Sequence, residues 1–516
     1  MKVSTKNKAV LLNLRNPEQV MAVVPKHKII PYKGQNLLAV PHALEVVKLL
    51  RNMGIDAPSP IRHYYDWSGQ YDPFAAQRDT AEFLTLNNRA FVLNDLGTGK
   101  TLASLWAYDY LRSIGQATRM LVISPLSTLE RVWADEIFRH FPHLTFSVLH
   151  GTKKKRVKLL DQNVDVYIIN HDGVKVMQDE LVKRTDIDLI LVDEIAQVAR
   201  NAGTERWRAL KKITKDAARL WGLTGTPIPN DPTDAWAQCR LVVPENVPPY
   251  FTRFRDQVMR QCGPYKWLPR DNALDVVHRA MQPSIRFDRD DCIDLPPLMY
   301  ETREIPLTTV QAKMYKDMLS KLSTEHEGEQ IQAVNEAVKL MKLVQIACGT
   351  AYSLDREVVV FEPTDRLQEL RDIIASSNSK TIVFVPFTAT AEMVAAHLEQ
   401  NGITTGLIYG AISKNKRDEV FKAFQKADDP RVIVAQPAAM SHGLTLTAAS
   451  TIVWFAPVTS AETYEQANAR ITRPGQNHSQ LIVNLQGTPA ESRIYDRLKD
   501  KATTQGVLLD LIKGVK

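Results

Sequence analysis

At 516 residues, 44% hydrophobic and 24% charged, the chain is long enough for two or three globular domains, and no apolar run is long enough to span a bilayer. Nothing behind Met1 reads as an export signal, and Cys239, Cys262, Cys292 and Cys348 form no C-x-x-C pair, so neither structural zinc nor a disulfide framework is expected and a cytoplasmic setting is. The net charge of +7 is uneven, because the first 70 residues hold ten Lys and Arg against four Asp and Glu and leave +1 for the rest.

Residues 1–70 carry short hydrophobic runs broken by Pro25, Pro31, Gly34 and Pro41, then a helical pattern from Pro41 to Met53, which predicts a small basic α+β accessory module. Its charge suits a polyanion partner, and a solvated basic face accounts for it as well. Tyr64, Tyr65 and Trp67, beside Arg62 and His63, either stack on exposed bases or form the module's core. From Arg89 to Gly225 the β-branched runs Ala90 to Leu93, Met120 to Ile123, Val166 to Ile169 and Leu189 to Val192 alternate with helical patterns, the signature of a parallel sheet wrapped by helices. Within this region Lys153-Lys154-Lys155-Arg156 reads as a solvated loop before a helix, and His171 as a hydrogen-bonding residue at a strand end. Helical spacing from Asp231 to Arg371 reads as insertions flanking a crossing at Leu295-Pro296-Pro297. The alternation then returns, with strands at Thr381 to Val385, Val432 to Ala435, Thr451 to Phe455 and Leu481 to Leu485.

The strand Phe91-Val92-Leu93 runs into Asn94-Asp95-Leu96-Gly97-Thr98-Gly99-Lys100-Thr101, and a helical pattern begins at once. This is a phosphate cradle. Gly97 and Gly99 let backbone N–H groups face phosphates, with Thr98 between them; Lys100 meets the β and γ oxygens, and the Thr101 hydroxyl can ligate Mg²⁺. Leu189 to Val192 ends in Asp193-Glu194 at the sheet edge where ligands of such sheets bind. Asp193 is expected in the Mg²⁺ shell and Glu194 as the group that orients and deprotonates water. Further on, a helix from Ala461 to Ile471 holds Gln466 and Arg470, with Arg473 three positions beyond, so that both arginines can leave one face as fingers for a phosphate.

In their order these motifs resemble the Swi/Snf-type ATPases of helicase superfamily two, from about Tyr71 to the last residues. The match runs through Gln77, the phosphate loop, Ile123 to Leu129, Asp193-Glu194, Leu223 to Asn230, Gly443 to Ala449 and Gln466 to Gln476. The resemblance implies two RecA-like parallel-sheet lobes with helical insertions, at 71–298 and 299–516, behind the module at 1–70. It implies that Gln77 reads adenine, that Gly443 lies in the ATP site, that Pro125, Ser127 and Thr128 touch the phosphates of one strand, that Thr224, Gly225 and Thr226 couple nucleotide to track, and, as a second reading for His171, that it lies in a loop contacting the track. Four departures stand out: Asn94 replaces the loop's first glycine, Ala196 replaces a histidine that often links the nucleotide site to Thr224–Thr226, Met440 and Ser441 replace two glycines before Gly443, and Arg286-Phe287 replaces an arginine pair.

The expected function is a DNA-stimulated ATPase that uses ATP and Mg²⁺ to translocate along duplex or branched DNA, in a bacterial or phage-infected cell. The alternatives are a helicase that separates strands or migrates branches, and a nucleotide-gated DNA clamp with little turnover. The sequence names no protein partner.

Overall fold

The computed structural model describes residues 1–513 except 33–34, 71, 265, 293–295, 322, 327–328, 333–335, 354–356, 362, 378, 441–444 and 474; side chains at 290–291, 321, 324–330, 332, 336–337, 414 and 502–513 are also outside the description. Two compact units emerge, one built on Met1–Cys292 and the other on Ile293–Gly506.

The first unit opens with an antiparallel sheet in the order Lys2–Ser4, Ala9–Leu12, Gln35–Pro41, Lys28–Tyr32. Helices Glu18–Val23 and Leu44–Asn52 close over it and bury Val10, Leu12, Val20, Leu38, Val40, Val47 and Leu50. The segment after this sheet belongs to the neighbouring core. Ile61 is fully buried there; the Tyr65 hydroxyl donates to Asp109 Oδ2 at 2.6 Å; and Trp67 lies edge-on to Trp106 at 5.8 Å. Tyr65 and Trp67 therefore pack, but into the core of the following parallel-sheet region and not into the module's own core as expected, because their partners Asp109 and Trp106 lie on the helix Lys100–Ser113. Arg51 and Arg62 both reach Glu82 on the helix Ala75–Leu86, which fastens the module to the Gln77 helix.

The main sheet of this unit is parallel throughout, in the order Ser284–Ile285, Arg89–Val92, Arg219–Leu223, Ile187–Asp193, Arg119–Ser124, Val166–Asn170, Phe146–Val148. Its strands are apolar on both faces because both are covered. Phe91, Leu121, Ile123, Tyr167, Ile169 and Ile190 enter one core, and Ala90, Val92, Met120, Val122, Ile168 and Leu189 enter the other with the helix Lys100–Ser113. The loop expected at Lys153 to Arg156 is instead the start of a helix, Lys153–Leu160. Arg156 is buried there and donates to the Leu149 carbonyl at 2.9 Å and to Asn170 Oδ1 at 3.1 Å.

The second unit has a parallel sheet in the order Leu298–Glu304, Gln480–Gln486, Ala449–Trp454, Lys380–Phe384, Val432–Ala435, Thr405–Ile408. A buried Arg366–Glu491 pair, 2.7 Å apart, holds its helices to the sheet, with Arg366 also donating to the Phe455 carbonyl at 2.9 Å. The stretch from Asp231 to Arg371 is helical at Asp234–Val242, Phe251–Val258, Ala273–Ala280, Thr309–Lys321 and Glu336–Ala347. It also carries short hairpins and supplies one strand to each parallel sheet, Ser284–Ile285 and Leu298–Glu304, which helical spacing does not announce. Leu295 of the expected crossing lies outside the described residues.

Candidate active site

The site grows from the C-terminal edge of the first unit's parallel sheet. Past Val92 the chain enters the loop 94–99 and then the helix Lys100–Ser113, with Gly97 at φ 89° and Gly99 at φ 75°, conformations open to glycine at little cost. A Cβ on Gly99 would run into the Gln77 amide, and the Gln77 Oε1 accepts from the Phe74 N–H at 2.9 Å, so the glutamine is held against the loop. Thr98 turns its hydroxyl to the Asp95 carbonyl at 2.8 Å. Lys100 Nζ donates to the carbonyls of Asn94 at 2.8 Å and Asp95 at 3.1 Å, and burial lowers its pKa against the pull of Glu194, Asp193 and Asp95. Thr101 is the second residue of the helix, half-buried.

Asn94 does the work of a strut where a glycine is usual. Its Nδ2 donates to Thr80 Oγ1 at 2.9 Å and its Oδ1 accepts from the Phe287 N–H at 3.1 Å. Next to it Arg286, nearly fully buried, donates to the Leu93 carbonyl and to Asp95 Oδ1, each at 2.7 Å. The single arginine before Phe287 is therefore a brace for the phosphate loop. The altered pair is visible in the sequence but its role is not, because the brace closes a span of 191 residues.

Asp193 ends the strand Ile187–Asp193, in register with Leu223 on one side, while its predecessor Val192 aligns with Ile123 on the other. Three donors fix it. Oδ1 accepts from the Glu194 N–H at 3.1 Å, Oδ2 from the Trp133 indole at 3.0 Å, and the carbonyl from His171 Nε2 at 2.9 Å. Burial raises the Asp193 pKa, opposed by the indole bond and by Lys100. Burial also pushes the His171 imidazole down to about 4, so the ring is neutral and its Nε2–H faces the carbonyl. Of its two readings, the hydrogen-bonding one is realised. Glu194 is 9% exposed with φ 50°, a left-handed backbone uncommon for a long side chain and a form of strain that gathers at functional sites. Ala196 is fully buried and its side chain has no polar atom to offer.

Thr224, Gly225 and Thr226 sit beside the phosphate loop. The Thr224 N–H donates to the Val92 carbonyl at 3.1 Å, the Thr226 N–H to Thr224 Oγ1 at 3.1 Å, and a Cβ on Gly225 would rest 3.5 Å from the Asn94 carbonyl. In the turn after Arg119–Ser124, Pro125 and Thr128 are buried, Ser127 is half-buried and Leu126 exposed. The Thr128 hydroxyl bonds inward to the Pro125 carbonyl at 2.9 Å, which makes Ser127 the polar side chain of this turn that reaches the surface.

In the second unit the helix is Ala461–Asn468, shorter than expected, so Arg470 and Arg473 occupy the turn beyond it and not one helical face. That turn is pinned: Asn468 Oδ1 accepts from the Trp454 indole at 2.8 Å, and Gln476 Nε2 donates to the carbonyls of Ala449 at 2.8 Å and Ile471 at 3.1 Å. Arg470 is 3% exposed, Arg473 is half-buried with Nε on the Ala469 carbonyl at 3.1 Å, and Gln466 Nε2 lies 3.3 Å from Glu462. Gly443 lies outside the described residues.

A glycine loop with its lysine on one strand, an Asp-Glu pair on a second, and another parallel-sheet unit further along define an ATP-hydrolysing enzyme of helicase superfamily two with two RecA-like lobes. A family model described as SNF2-related domain matches residues 76–351, and one described as Helicase conserved C-terminal domain matches 365–475. The chain belongs to the SNF2-related family. It is 25% identical to protein p41 of Acyrthosiphon pisum secondary endosymbiont phage 1 over 462 residues, covering 82% of this chain and 95% of that protein. Against YwqA of Bacillus subtilis (strain 168) it is 25% identical over 444 residues, 80% of this chain and 46% of the relative. Against the human DNA annealing helicase and endonuclease ZRANB3 it is 23% identical over 458 residues, 84% and 40%. The chain thus spans less than half the length of these two cellular relatives. A solved structure titled as the Sulfolobus solfataricus SWI2/SNF2 ATPase core in complex with dsDNA is similar at 22% identity, over 87% of this chain and 94% of that one, with a TM-score of 0.42. No helix among the described residues is long and apolar enough to cross a membrane.

Proposed function

We propose that this chain is an ATP-driven translocase that moves along duplex DNA by tracking one strand. The observation that carries this reading is that the phosphate loop, Asp193-Glu194, Thr224–Thr226 and the Pro125–Thr128 turn all leave the same edge of one parallel sheet, so groups for phosphate hydrolysis and groups that a polymer can reach share one scaffold. Gln77 orients adenine, the N–H groups around Gly97, Thr98 and Gly99 cradle phosphates, and Lys100 leaves its loop carbonyls to meet them. Glu194 takes the proton of the attacking water. Thr101 and Asp193 are the residues that would hold Mg²⁺, which when bound neutralises charge on the β and γ oxygens; the glycine cradle and the single fixed carboxylate suit that two-ligand arrangement. From the second unit Arg470 and Arg473 would supply transition-state charge, with Gln466 and Gly443 in support.

Movement without extended strand separation is favoured by where the extra elements lie. They fall between Asn230 and Arg371, as helices and short hairpins, and among the described residues none falls within the late motifs, where a separating wedge would stand beside the track. The test is ATP turnover titrated with single-stranded, duplex and forked DNA and with RNA, together with displacement of a third strand from a triplex. Duplex should stimulate most, and the triplex strand should be displaced with ATP. Efficient unwinding of a long tailed duplex without triplex displacement would select strand separation, and DNA binding without turnover would select the clamp.

A further inference from the structure

A buried indole N–H needs a partner, and this protein shows what the ordinary partner is. Trp106 donates to the Ser68 carbonyl, Trp207 to Ala237, Trp221 to Asn87 and Trp236 to Pro248, while Trp454 uses the amide of Asn468. Trp133 is as buried as any of them, yet among the described residues it alone gives its indole hydrogen to a carboxylate, Asp193 Oδ2 at 3.0 Å. That carboxylate is also the candidate metal ligand of the ATP site.

The other end of Trp133 is set by the Pro125–Thr128 turn. Leu129–Ala134 is a π-helical turn capped by Thr128, whose carbonyl accepts both from the Val132 N–H and from the Trp133 N–H, each at 3.1 Å. Single π turns are uncommon and tend to occur at functional sites. Thr128 in turn holds the Pro125 carbonyl through its own N–H at 3.0 Å and its hydroxyl at 2.9 Å. Two hydrogen bonds joined by the covalent frame of Trp133 therefore connect the turn that presents Ser127 to one oxygen of Asp193, the main-chain N–H on the Thr128 carbonyl and the indole N–H on the carboxylate. The main chain of Asp193 is separately anchored by His171, so a shift of the turn is taken up by the side chain and not by the strand. Ala196, buried and apolar, leaves the usual position of a linking histidine silent.

From this path we propose that Trp133 is a positioning residue that couples occupancy of the 125–128 turn to the orientation of the Asp193 carboxylate. The proposal rests on the reading above that this turn touches the DNA backbone. Contact at Ser127 moves the turn, the π-helical segment transmits the movement, and the indole sets which way Oδ2 faces. By linkage the effect is reciprocal: nucleotide alters DNA affinity by the factor by which DNA alters nucleotide affinity.

The experiment uses the full chain. Turnover is measured with and without duplex, and duplex affinity with and without a non-hydrolysable ATP analogue plus Mg²⁺. Trp133→Phe keeps a ring but removes the N–H, and should cut the duplex stimulation ratio by roughly tenfold or more, the scale of one lost charge-assisted bond. Its duplex affinity without nucleotide should stay within about twofold of the parent, which a merely structural loss would not spare. Should that variant not fold, benzothienylalanine at position 133, which has the shape of tryptophan without the N–H, answers the same question. A stimulation ratio equal to the parent's in either variant overturns the proposal. The variant Ser127→Ala, which leaves the inward Thr128 hydroxyl bond intact, separates the two ideas: if it leaves duplex affinity unchanged, the turn is not a DNA contact and the underlying reading fails, whereas weakened affinity alongside an unaltered Trp133→Phe ratio sinks only the coupling role.

Discussion

The guanidinium of Arg286 bonds to Asp95 Oδ1 at 2.7 Å, so that a segment 191 residues downstream holds the phosphate loop in shape. Its second arm, on the Leu93 carbonyl, and the Phe287 N–H on Asn94 Oδ1 extend the same clamp over three consecutive residues of the loop's start.

Arg286→Ala should weaken nucleotide binding and lower stability by about 1 to 3 kcal/mol, since it strands a buried carbonyl and takes the guanidinium from Asp95 Oδ1. Denaturant midpoints and equilibrium binding of an ATP analogue check this. Arg286→Lys keeps the charge but cannot fork between two acceptors, so it should recover only part of the loss. A parental midpoint and affinity in Arg286→Ala would show that the brace is dispensable.

Lys100→Ala and Glu194→Gln should each abolish turnover, by different routes. The first removes the phosphate contact and should weaken nucleotide binding as well. The second keeps the shape of the site but removes the base, so ATP should still bind and remain uncleaved. Turnover of Glu194→Gln near that of the parent would mean that another group activates water.

Arg473→Ala should lower turnover by roughly 10³-fold or more while sparing nucleotide affinity, as expected of a group that meets charge only in the transition state. Arg470 is buried at 3% exposure, so Arg470→Ala is expected to reduce thermal stability as well as rate. Arg473 is half-buried, and its variant therefore reports function more cleanly. Loss of nucleotide binding with an unaltered rate at saturation would remove both from the finger role.

The basic surplus of the first 70 residues lies wholly within the first 40, which hold seven Lys and Arg against Glu18 alone. Lys6, Lys8, Lys26 and Lys28 are all exposed, around an antiparallel sheet whose edge strand Lys28–Tyr32 is exposed at every position. Changing these four lysines to Gln should flatten the fall of log affinity for duplex with log salt, by up to about 0.9 for each phosphate no longer neutralised. An unchanged slope would show that this face is not a DNA grip. Deleting residues 1–69 is a poorer test than their charge suggests. It would take Ile61, Tyr65 and Trp67 from the neighbouring core and the Ser68 carbonyl from Trp106, so the truncated chain should melt earlier.

What the sequence alone determined is what short-range pattern encodes. Strands buried on both faces read as apolar runs, as at Leu189 to Val192 and Val432 to Ala435, and a glycine loop between strand and helix reads as a phosphate cradle. Tertiary structure decided whatever depends on partners distant along the chain. Asn468 gives its side chain to Trp454, and the helix expected to reach Ile471 stops there, moving two arginines off a helical face. Arg156 leaves its run of lysines for the Leu149 carbonyl and Asn170, although charge pattern places the whole run in solvent. The bond from Trp133 to Asp193 closes 60 residues and has no periodic trace, because a hydrogen bond between a helical turn and the end of a strand is set by how that turn packs on the sheet.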